Sequence, residues 1–178
     1  MGEFLLYIVF SITFLAVVAW VIVKKLLGLF MAWRSERGQE STTPLKVGDT
    51  LKMREALDLI IRQGGEGSFV IFEEPCLRKF VQFAGSQTEG LLLDLPSPAL
   101  SEDEMTRARD FFRELGVDSH AHVEVPDDNG RPAKWVATFQ MKLGNDTRRA
   151  AQLACGVFLR VFRLSPDAAI IARVNLNA

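Results

Sequence analysis

The chain has 178 residues, with 21 lysines and arginines against 22 aspartates and glutamates and a net charge of −1. That balance excludes the basic excess nucleic-acid binders use against phosphates, so no nucleic-acid partner is expected. The two cysteines, Cys76 and Cys155, are too far apart in sequence to suggest a disulfide framework and are compatible with a reducing compartment.

Phe4 to Val23 is a 20-residue run without a charge, and fourteen of its residues are Leu, Ile, Val or Phe. As a helix it spans about 30 Å, the thickness of a bilayer's hydrocarbon core. Tyr7 and Trp20 lie near its two ends, where amphipathic rings favour the interface. Lys24, Lys25, Arg34 and Arg37 follow the span and no basic residue precedes it. Such one-sided charge puts the C-terminal side in the cytoplasm and the N-terminus outside. The expectation is a single-pass inner-membrane protein whose residues 4–23 take the lipid bilayer as partner. A cleaved signal peptide is the alternative. It would begin with Lys or Arg and end at a small-residue site, whereas here the first charge is Glu3 and the run ends in Val23-Lys24-Lys25. Residues 24–37 read either as an amphipathic surface helix, with Leu26, Leu27, Phe30, Met31 and Trp33 toward lipid, or as a simple stop-transfer flank.

Residues 1–37 are therefore read as transmembrane helix and basic juxtamembrane segment. Residues 38–48, with Gly, Ser, Thr and Pro and no helical period, read as a linker. Residues 49–178 form the expected domain. Its first helix is predicted over Thr50–Arg62, with Met53, Ala56, Leu57, Ile60 and Ile61 on one face, and Gly64-Gly65 ends it. Strands are expected over Ser68–Glu73, Lys79–Ala84 and Gly90–Leu95 as an antiparallel meander, with Glu74–Arg78 as a hairpin connection. Ser101-x-x-Glu104 is a capping box and opens a second helix whose apolar face is Met105, Ala108, Phe111, Phe112 and Leu115. Two alternating strands follow, one with Ala121, Val123 and Val125, the other with Trp135, Ala137, Phe139, Met141 and Leu143. Asp127–Gly130 reads as the turn between them. A third helix starts at Asn145 or Asp146, with Ala150, Leu153, Ala154, Val157, Phe158 and Val161 inward. Its arginines Arg148, Arg149, Arg160 and Arg163 read as a solvated face, or as a contact for anionic lipid or an acidic partner. Ala168 to Val174 is either a last strand or an extended tail.

The predicted class is α+β, in the order α-β-β-β-α-β-β-α with an antiparallel sheet. That order, with Phe69-Val70-Ile71-Phe72-Glu73, Lys79-Phe80-Val81-Gln82-Phe83-Ala84 and Leu92-Leu93-Asp94-Leu95-Pro96, resembles the type III secretion chaperones and the YbjN-like domains that share their fold. The resemblance covers about residues 50–165. It implies a helix-flanked sheet, often dimeric, that binds protein segments and has no active site. A free, acidic cytosolic protein is usual in that group, whereas this chain is nearly neutral and carries a membrane segment.

The sharpest constellation for chemistry is His120-x-His122-x-Glu124, since alternate residues of a strand share a face and zinc accepts these ligands. No fourth ligand or HExxH-type signature accompanies it, so no metal, cofactor or catalytic residue is expected. Asp127-Asp128-Asn129 lacks calcium-loop spacing, and Gly64-Gly65-x-Gly67 precedes a strand rather than a phosphate-cradling helix. The function expected is a membrane-tethered, non-catalytic protein-binding module, chaperone- or adaptor-like, with a homodimer among the assemblies. A structural subunit of a larger membrane assembly is the alternative. Three helices can cover only one face of the sheet, so the other face, or a sheet edge, is expected to be left for a partner, the alternative being that the tail from Ala168 to Val174 packs on that face and hides it. The contact surface is predicted at Val70, Phe72, Val81 and Phe83.

Overall fold

Pro44 marks the first departure from that reading: it sits inside a strand, β1 (Gln39–Lys46), where a tether was expected. The computed structural model describes residues 39–97, 100–117, 121–124 and 135–177, and the membrane-segment residues Tyr7, Trp20, Lys24 and Lys25 lie outside them. Among the described residues no helix is long and apolar enough to cross a membrane. After β1 come α1 (Thr50–Gln63), β2 (Ser68–Glu74), β3 (Lys79–Ser86), β4 (Gly90–Pro96), α2 (Glu102–Glu114), β5 (Ala121–Glu124), β6 (Trp135–Gly144), α3 (Thr147–Gly156) and β7 (Ala169–Leu176). The expected order α-β-β-β-α-β-β-α is present, with a strand added at each end.

The seven strands form one sheet in the order β1-β7-β2-β3-β4-β6-β5. Every recorded pairing is antiparallel. The segment left open between strand and tail is a strand, β7, inserted between β1 and β2. The linker reading of 38–48 is corrected by the same ladder, which pairs Gln39 through Lys46 with Leu176 through Ala169. Composition misled because an edge strand tolerates what a central one does not. Ser41, Thr42, Thr43 and Pro44 are all exposed on it, and proline is tolerated on an edge strand because one side of that strand has no ladder bonds to lose. Lys46 Nζ donates to Asp167 Oδ1 at 3.0 Å, fastening the end of β1 to the turn before β7. That hydrogen bond and the carboxylate's charge raise the Lys46 ammonium above its ordinary value.

All three helices lie on one side of the sheet. Met53, Ala56, Leu57 and Ile60 of α1 are buried on it. Gly64 then stops the helix, and a Cβ there would stand 2.7 Å from the Ile60 carbonyl oxygen. The capping box of α2 is present: Ser101 Oγ accepts from the Glu104 backbone at 3.4 Å, and Glu104 Oε2 accepts from the Ser101 backbone at 2.8 Å. Phe112 of α2 stacks on Phe139 of β6 with centroids 4.9 Å apart. Asp146 Oδ1 caps α3 by accepting from Arg149 N. That helix ends in a π-helical turn over Val157–Val161, closed by the Phe162 N–H donating to the Val157 carbonyl at 3.0 Å. The apolar faces predicted for α1 and α3 enter one core with the helix-facing residues of β2, β3, β4, β6 and β7.

Glu104 and Lys79 cross that core's edge. Lys79 Nζ of β3 donates to Glu104 Oε2 at 2.7 Å, both side chains being largely buried. Burial pushes the Glu104 carboxyl up, but hydrogen bonds from Lys79 and Ser101, with the ammonium's charge, outweigh it and leave it below its ordinary value. The pair ties α2 to the sheet. Cys155 is partly buried, which raises its thiol, and Cys76 is exposed on the β2–β3 turn; both are free.

Candidate protein-contact surface

Alternate strand residues face opposite sides, so the parity of each strand assigns its side chains to the helix side or the open side. Val70, Phe72, Val81 and Phe83 face the helices and have no accessible surface. The contact surface predicted on them is therefore corrected: they are the centre of the core. Phe72 and Phe83 meet edge to face at 5.9 Å.

The residues between them make the side that none of the described helices covers, the open side. The ladder sets them in rows across the strands. One row runs Glu40, Asn175, Phe69, Ala84, Leu92, Lys142 from β1 to β6. The next runs Thr42, Arg173, Ile71, Gln82, Asp94, Gln140. A third includes Pro44, Ile171, Glu73 and Phe80. Phe69, Ile71, Phe80, Leu92 and Ile171 are half-buried, and none belongs to the core or packs against it. Arg173 pairs with Glu73 at 2.9 Å, and Gln82 Nε2 donates to Asp94 Oδ2 at 2.5 Å. Asp94 Oδ1 and Asn175 Oδ1 have no hydrogen-bond partner, a condition that costs about 1–3 kcal/mol for a group held away from water. An open cleft of about 430 Å³ lies over one end of this face, lined by Ala84, Gly85, Glu89, Gly90, Leu92 and Lys142 among others.

The chain matches no protein-family model, no curated protein and no solved structure. The face has to be read from its own chemistry. It holds large, half-buried apolar side chains interrupted by charges and amides. Among the described residues it offers no nucleophile beside a base. His120 of the weak zinc candidate lies outside the described residues, while His122 and Glu124 sit in β5 opposite Ala137 and Trp135. Among the described residues no group of three His, Cys, Asp or Glu is placed to hold a metal ion. Arg160 of the arginine set pairs with Glu114 at 2.6 Å and lies over the Phe111 ring.

The open side was visible in the sequence through its polar members. Phe69-x-Ile71-x-Glu73, Phe80-x-Gln82-x-Ala84 and Leu92-x-Asp94 each include a polar or small residue in one parity. The other parity, in Val70 and Phe72, Val81 and Phe83, and Leu91, Leu93 and Leu95, is apolar throughout. On β2 alone the difference is masked, because Phe69 and Ile71 are as apolar as Val70 and Phe72.

Proposed function

We propose that this chain is a membrane-tethered protein-binding module, chaperone- or adaptor-like and non-catalytic. Residues 4–23 anchor it in the inner membrane, and its α+β domain stands on the cytoplasmic side. One observation carries the reading: the helices cover one side of the sheet, and the other presents Phe69, Ile71, Phe80, Leu92 and Ile171 partly exposed among polar groups. Contiguous apolar area left partly exposed commonly marks protein contacts. The likeness in element order to secretion chaperones supports the same class of function. A pull-down of the full chain from native membranes in mild detergent tests it, comparing wild type with Ile71→Asp. A protein captured by wild type and lost with the variant is expected. Equal capture by both removes the open face as the contact surface. Capture of the same proteins in fixed stoichiometry instead favours a structural subunit.

A further inference from the structure

We propose that β1 is a guard strand: Pro44 and Asp49 close the outer edge of the sheet, so that no further strand can join it beyond Thr42. This goes beyond the contact-surface reading and stands whether or not the open face binds a partner.

Hydrogen-bond direction carries the argument. In an antiparallel pair, successive residues turn their N–H and C=O groups alternately toward the neighbouring strand and away from it. The Val47 N–H donates to the Ala168 carbonyl at 3.0 Å. Val47 and Ala168 continue the register that pairs Lys46 with Ala169. Val47, Leu45, Thr43 and Ser41 therefore turn inward to β7. Lys46, Pro44, Thr42 and Glu40 turn outward, where an edge strand offers donors and acceptors to any extended chain that comes near.

Two of these outward positions are closed. Pro44 has no N–H to give, and its ring stands where the donor would be. Both outward groups of Lys46 are engaged by Asp49. The Lys46 N–H donates to Asp49 Oδ2 at 3.1 Å, and the Lys46 carbonyl accepts from the Asp49 N–H at 3.0 Å. Among the described residues, complete rungs remain at Glu40 and Thr42 alone. The two edges of the sheet are thus protected differently. The edge strand β5 has four residues and is blunted by its shortness. The edge strand β1 has eight residues, and length gives it no such protection.

The test moves the proline. Variants of the full chain in mild detergent are compared with wild type by sedimentation velocity over a range of concentrations, with circular dichroism to confirm that each is folded. The comparison reads association added to whatever assembly wild type forms through other surfaces. Pro44→Val restores an outward N–H, and Asp49→Ala frees the Lys46 N–H. The double variant should associate further at concentrations about tenfold lower than wild type, as two added backbone hydrogen bonds imply. Pro44→Val alone, which leaves Asp49 in place, should shift the same way by less. Thr43→Val adds the same side chain at an inward position and should leave association unchanged. Thr42→Pro, added to the double variant, returns a proline to an outward position and should reverse the effect. A double variant that sediments like wild type, a Thr43→Val variant that associates as strongly as Pro44→Val, or a Thr42→Pro change without effect would each overturn the proposal.

Discussion

Replacing Phe72 with alanine should remove a large share of the domain's stability, while replacing Phe69, three positions earlier and on the opposite face, should not. Phe72 has no accessible surface and its ring meets Phe83 at 5.9 Å. Truncation loses the transfer free energy of the ring and leaves a cavity bounded by side chains of β2, β3 and the helices. Such Phe→Ala changes cost about 3–5 kcal/mol, against a total of about 5–15 kcal/mol for a domain. Phe69 lies outside the core and is half-buried on the open face, so its truncation should cost about 1 kcal/mol, as partly exposed sites do. Urea titration of the full chain in mild detergent, followed by far-ultraviolet circular dichroism, gives both values. Equal losses, or a loss below about 1.5 kcal/mol for Phe72→Ala, would refute the assignment of faces.

Glu104→Gln keeps an acceptor for the Ser101 backbone but removes the charge facing Lys79, and should cost about 1–3 kcal/mol near neutral pH. Because the folded carboxyl sits below its ordinary value, its stabilisation is present above the ordinary carboxylate range and is lost as pH falls through the folded value. Urea midpoints of wild type and variant should therefore converge on acidification, and a gap constant down to pH 3 would count against the pair. A chain beginning at Gly38 should melt cooperatively without the membrane segment. One beginning at Val47 loses β1 and Leu45, bares the β7 edge, and should melt lower and aggregate. Calorimetry of the two decides whether β1 belongs to the fold.

Much of the local structure was written in short-range pattern. The capping box at Ser101 and Glu104 needs only two residues three apart, and it formed as expected. The faces of α1 and α3 follow from period 3.6, and Met53, Leu57, Ile60, Ala150, Val157 and Phe158 are buried as their spacing requires. The β2–β3–β4 meander follows from apolar runs separated by short turns. These signals act between neighbours in the chain, so a sequence displays them directly.

What tertiary structure decided depends on partners far away. Gln39–Lys46 is a strand because β7, about 130 residues later, offers it a ladder; alone, a Ser-, Thr- and Pro-bearing segment has no reason to extend. β7 in turn is a strand because it fills the place between β1 and β2. Which parity of β2 and β3 faces the core is written only in the polar members Glu73 and Gln82; Phe69 and Phe72 taken alone are equally apolar, and the side on which α1 and α3 pack separates them. The sequence by itself determined the helices, their caps and the three-stranded centre of the sheet. The edge strand and the completed sheet came from burial and pairing between distant segments, whose free energy no local window contains.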